Sequence, residues 1–211
     1  MNQLANLGFD YYEKGFVNTK IPDELMSDFW MQIYTTEWIK SKSVFKTVPD
    51  WYIEGQPVDI QGDDAHMEFE YRANRLNLER CPDSLKELSE KLINNSIFDF
   101  LRIVRPIHEI SHIHLWNGAE GGDYHQDVID GTNTLVLCYL TETEWKSSYG
   151  GSLSVTKKLL NKHKYTTKIL PNAGTMIIIN NDNPLFMHKV EELKANVNRY
   201  TFAFSYKWKI K

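Results

Sequence analysis

Cysteine is scarce. Cys81 and Cys138 are the only two thiols in 211 residues, and they stand far apart. Such a pair gives no disulfide framework, and a reduced, cytoplasmic setting is the simplest expectation. Cys138 lies inside an apolar run and reads as a small buried hydrophobe. Long hydrophobic runs are missing as well: none reaches the roughly 18 residues of a membrane-spanning helix, so no membrane partner is expected. Met1 to Gly15 contains acidic residues and no apolar stretch of the kind a signal peptide carries. Positive charge is not in excess. A formal net charge of −4 argues against a protein that grips duplex nucleic acid mainly through phosphates, though a local patch could still hold such a substrate. No repeat or linker divides the chain, which reads as one domain over residues 1–211. There is also no Ser-His-Asp or Cys-His arrangement for nucleophilic catalysis.

What is present is enough apolar material for one sizeable core: 42% hydrophobic residues against 25% charged. Aromatics at 13% imply a dense core, a substrate cleft or both. Pro22, Asp23 and Glu24 mark a helix start. Leu25, Met26, Phe29, Trp30 and Ile33 then recur at helical spacing, and the helix is expected to run to about Trp38 and to lie on a sheet. A second helix begins at Pro82-Asp83-Ser84, shows Leu85, Leu88, Leu92 and Ile93 on one face, and stops near Asn94-Asn95. Residues 41–80 read as a long loop punctuated by Gly55, Pro57 and Gly62, with a short strand at Trp51, Tyr52 and Ile53.

From residue 98 the pattern becomes short β-branched and aromatic runs separated by turn residues. Candidate strands are 98–104, 107–116, 124–129, 133–140, 152–156, 165–170, 175–179, 185–190 and 200–209. The lysines of 157–168 read as a solvated hairpin or loop. Many short strands without intervening helices indicate a sandwich or jelly roll. A helical part over about 1–97 would pack on one sheet of a β core over about 98–211, in a mainly β (α+β) fold.

Two metal-like strings compete. In the first, Tyr124-His125-Gln126-Asp127-Val128, His125 and Asp127 fall two apart and share one side of a strand. His188 stands far downstream. Two imidazoles and one carboxylate with open positions are the ligand set of non-haem Fe(II) oxygenases. Eleven residues after His188, Arg199 can fork onto a carboxylate of an oxo-acid. The second string, His108-Glu109-Ile110-Ser111-His112, fits the zinc-peptidase pattern, which requires a helix. Pro106 and the β-branched Ile107, Ile110 and Ile113 favour a strand there, where two His four apart lie too far apart to share an ion. His108, His112 and His114 therefore read first as strand residues with polar partners, with His112 or His114 lining a substrate cleft as the other reading.

The ordered set His125-x-Asp127, Tyr139-Leu140, Gly150-Gly151, His188 and Arg199-x-Thr201 resembles the Fe(II)/2-oxoglutarate-dependent dioxygenases, in particular their prolyl-hydroxylase-like branch. The resemblance runs roughly from Ser111 to Trp208. It implies a double-stranded β-helix (jelly-roll) core. It also implies Fe(II) held by His125, Asp127 and His188, and 2-oxoglutarate and O2 as co-reactants. Arg199 would hold the far carboxylate of 2-oxoglutarate, with Thr201 on the same strand face and Tyr139 and Trp116 as further contacts. The implied reaction is hydroxylation of a C–H bond, on a peptidyl (prolyl-type) or other unidentified substrate, with release of succinate and CO2. A non-catalytic jelly-roll binding module is the alternative of another class; it would make no succinate. Arg199 is accordingly expected to point inward and be partly buried beside His188.

Overall fold

The structure, a computed structural model, describes residues 3–35, 43–45, 67–69, 83–116, 124–126, 134–159 and 162–209. Its centre is a pair of antiparallel sheets. The larger sheet has the order β1-β8-β5-β10-β4, built from β1 (Phe16–Lys20), β8 (Thr175–Asn180), β5 (Thr134–Leu140), β10 (Arg199–Lys209) and β4 (Arg102–Trp116). The smaller has the order β7-β6-β9, from β7 (Lys162–Ile169), β6 (Leu153–Leu159) and β9 (Phe186–Val190). An isolated bridge joins His125 to His188, so the segment around His125 continues this sheet beyond β9. Five strands in the larger sheet face three strands and the bridged His125 segment in the smaller, and together they make the double-stranded β-helix expected from the sequence. A separate two-stranded ribbon pairs β2 (Ser43–Phe45) with β3 (Met67–Phe69).

Alternation decides which side chain faces which layer. Along β5, Val136, Cys138 and Leu140 join one core cluster, while Leu135, Leu137 and Tyr139 join another. Along β8, Met176 and Ile178 face the first, Ile177 and Ile179 the second. The second cluster also takes Leu153 and Val155 of β6 and Ile169 of β7, so it is the space between the two sheets. The first cluster lies on the other side of the large sheet, under the helices. There α2 (Met26–Thr35) contributes Phe29 and Ile33, and α3 (Asp83–Ile93) contributes Leu85, Leu88 and Leu92. Phe29 packs edge-on against Phe202 at 4.8 Å and against Phe204 at 6.2 Å. Hydroxyls buried in this layer are tied up: Tyr11 bonds Thr134 at 2.7 Å, and Ser89 donates to Tyr206 at 3.0 Å.

Several expectations are corrected. The first helix opens with a 3-10 turn at Asp23–Leu25 and is α-helical only over Met26–Thr35; residues 36–38 lie outside the described residues. The two strands read at 98–104 and 107–116 are one strand, β4, and Phe98 ends a 3-10 turn before it. Pro106 does not break β4 because β4 is the sheet's edge, where a missing N–H leaves no ladder bond unmade. The lysines of 157–168 do lie in a hairpin, formed by the paired strands β6 and β7. The N-terminal part, read as helical, also holds helix α1 (Gln3–Phe9), a π-helical turn Asp10–Lys14 and strand β1. Gly15 joins that turn to β1 in the left-handed region, with φ 83°. A Cβ there would collide with the Phe186 ring, so only glycine fits. Trp51, Tyr52 and Ile53 lie outside the described residues.

Candidate active site

His125 and His188 sit on neighbouring strands and exchange both backbone hydrogen bonds, each N–H donating to the other's carbonyl at 2.9 Å. Residues paired in this way project to the same face. Their imidazole centroids are 4.6 Å apart with the planes inclined at 57°. His188 is buried and His125 half-buried. On its other side His188 stands opposite Val155, whose side chain belongs to the inter-sheet core. The imidazole pair therefore opens between the sheets.

Gln126 alternates to the opposite face and fastens the arrangement. Its Nε2 donates to the carbonyls of Asn183 and Phe186, both at 2.8 Å. These two carbonyls belong to the turn that delivers β9, so one amide ties the His125 segment to the approach of His188. Lys189 lies over the Tyr124 ring at 5.0 Å, a cation–π contact across the same two strands. Asp127 lies outside the described residues.

The facing wall comes from the large sheet. Thr201 of β10 stands opposite Tyr139 of β5 on one side and His114 of β4 on the other. Arg199, two residues earlier on the same strand, shares this face, and its backbone stands opposite Trp116. Arg199 is 1% exposed. Its guanidinium lies over the Tyr139 ring at 4.8 Å. Burial pushes the Tyr139 hydroxyl above its ordinary pKa, while the Arg199 charge pulls the other way. The hydroxyls of Tyr139 and Thr201 are both buried and have no hydrogen-bond partner among the described residues. Buried polar atoms of this kind normally find a partner.

Residues 108–112 lie on β4. Ala203 pairs with His112 and Ser205 with Ile107, so residues 108–111 bulge from the ladder opposite Phe204 alone. The segment is extended, and a zinc-peptidase helix does not form there.

Residues 111–207 match the family model of the 2OG-Fe(II) oxygenase superfamily. That stretch, a little under half of the chain, is similar to this superfamily. No curated protein matches the chain by sequence. Solved structures share the oxygenase fold. A prolyl hydroxylase of Trichoplax adhaerens, in complex with a hypoxia inducible factor peptide fragment, is similar at a TM-score of 0.64 and 15% identity, over 97% of this chain and 88% of its own. An oxidoreductase of the 2OG-Fe(II) oxygenase family from Burkholderia pseudomallei gives 0.63 and 14%, over 98% and 91%. A prolyl-4-hydroxylase of Pseudomonas putida gives 0.57 and 17%, over 99% and 100%. These likenesses show the fold, and the matched superfamily implies Fe(II), 2-oxoglutarate and O2.

The residues present fit those groups. Two imidazoles lie side by side where a metal would need nitrogen donors. On the facing wall a buried guanidinium and two unmet hydroxyls stand together, the donor chemistry a carboxylate requires. Gly150 and Gly151 sit at φ 73° and 65°. A Cβ on Gly150 would strike the carbonyl oxygen of Glu192, so this glycine lets the start of β6 approach the segment after β9.

Proposed function

We propose that this oxygenase hydroxylates a C–H bond of a peptidyl, prolyl-type substrate. In this reading His125, Asp127 and His188 hold Fe(II), and Arg199, Thr201 and Tyr139 hold the far carboxylate of 2-oxoglutarate. When bound, the metal and cosubstrate supply the oxidising chemistry, with O2 consumed and succinate and CO2 released. The chain's own work is placement. The His125–His188 backbone bridge fixes two imidazoles on one face before any metal arrives. The anchoring wall is rigid strand rather than loop, and burial keeps water from competing for the donors of Arg199, Thr201 and Tyr139. Trp116, whose backbone is registered opposite Arg199 on β4, is a further contact in this reading.

The observation that carries the reading is the buried guanidinium with two unmet hydroxyls on the inner wall of a jelly roll whose other wall presents the paired imidazoles. The peptidyl substrate class draws on the peptide fragment bound to the Trichoplax structure. The test begins with Fe(II) and 2-oxoglutarate binding under nitrogen, followed by succinate release on admitting air. Proline-containing peptides present in the same reaction should gain one oxygen atom in mass. Failure to bind 2-oxoglutarate would overturn the whole reading. Succinate release with no peptide oxidised, across a broad peptide library, would overturn the substrate class alone.

A further inference from the structure

We infer that His114 is a fourth member of the pocket for the cosubstrate's far carboxylate, donating an imidazole N–H that makes the site selective for a 2-oxo diacid over a 2-oxo monoacid. The inference rests on the reading of Arg199 as the anchor. His114 is buried, at 9% exposure. Its neighbours in sequence, Ile113 and Leu115, face the helix-side core, so alternation turns His114 to the inter-sheet side. There its backbone is registered directly opposite Thr201, which is itself opposite Tyr139. Directly opposed residues in antiparallel strands hold their Cβ atoms about 4.5–5.5 Å apart. One row across three strands therefore reads His114, Thr201, Tyr139, with Arg199 adjoining it on the same face.

The row has a chemical bias. None of its members is acidic, and the next row in register is His112, Ala203 and Leu137, again without an acid. An imidazole donates an N–H whether neutral or protonated, and Arg199 donates whatever the pH. A carboxylate presents about four lone-pair sites, and the row supplies a guanidinium, two hydroxyls and an imidazole to meet them. His114 is registered opposite a hydroxyl that is itself buried and unmet among the described residues.

The test compares two ligands on Fe(II)-loaded protein under nitrogen by titration calorimetry: 2-oxoglutarate, and 2-oxopentanoate, which has the same keto-acid end but no far carboxylate. His114→Leu keeps volume and removes the donor; His114→Gln keeps a donor. The Leu variant should bind 2-oxoglutarate about tenfold more weakly, the scale of one hydrogen bond to a charged group, with 2-oxopentanoate unchanged. The Gln variant should stay within about threefold of the parent protein. Equal weakening for both acids, or no change for either, overturns the inference. If the parent protein binds neither acid, or Arg199→Ala binds 2-oxoglutarate as well as the parent does, then the anchor reading has failed and the role of His114 fails with it. If the Leu variant does not fold, the imidazole 15N resonances of the Zn(II)-loaded parent protein decide. 2-Oxoglutarate, and not 2-oxopentanoate, should shift the resonance that the Gln variant lacks; a resonance indifferent to both overturns the inference.

Discussion

Burying a guanidinium is costly unless an anion or a hydrogen-bonding partner receives it, and Arg199 is 1% exposed. Arg199→Lys keeps the charge but loses the two-pronged fork. It should weaken 2-oxoglutarate by about 1–3 kcal/mol and leave Fe(II) affinity unchanged, as read from the metal-to-ligand absorption band under nitrogen. Gln126→Ala should act in the reverse sense. Losing its bonds to the Asn183 and Phe186 carbonyls frees the approach to His188 and should weaken Fe(II) by about tenfold, a typical cost of removing support behind a ligand. Metal titration with a competing chelator checks this. His125, His188 and Arg199 stand out in the sequence because ligand chemistry restricts residue type and spacing, and the structure pairs the first two and buries the third. Gln126 could not, because its partners are backbone carbonyls, which leave no mark on the sequence.

At the scale of elements, β5 and β8 were legible because both faces are buried, giving near-continuous apolar runs. β1 was not: Phe16–Lys20 is a five-residue edge strand with one fully buried side chain, Val17, so most of its evidence is its pairing with β8. β4 was legible in type but not in extent, because Pro106 reads as punctuation unless the strand is known to lie at an edge. Gly15→Ala should cost about 1–3 kcal/mol, from left-handed strain and the collision with Phe186, measured as a lowered urea midpoint. Glu191 follows a different logic. Its carboxyl is held below the ordinary value of 4.5 by the Ser154 hydroxyl at 2.6 Å, and further by Lys189 and Lys168, each at 3.6 Å. A depressed folded-state pKa gives stability that is present above the unfolded value and lost as pH falls through the folded one. Glu191→Gln should therefore be less stable than the parent at neutral pH. The gap should close on acidification below the ordinary carboxylate range, and paired urea titrations at the two pH values would show it.

Across the whole molecule the large sheet separates two tasks. Phe202 and Phe204 face the helices, while Thr201 and Ala203, between and beside them on β10, face the site. Phe29→Ala should lower stability by about 3–5 kcal/mol, seen as a lowered melting temperature. The surviving folded protein should bind 2-oxoglutarate as before, because the void opens on the far side of the sheet. The order of the strands carries a further consequence. β10 lies between β4 and β5, yet it follows both in the chain by some distance. During synthesis, β4 leaves the ribosome with no neighbour in its sheet, and β5 shows a bare flank until residues 199–209 appear. Through that interval the nascent chain exposes two long, apolar, hydrogen-bond-hungry edges. The half-made protein should therefore be more prone than the finished one to pair its strands with those of another chain.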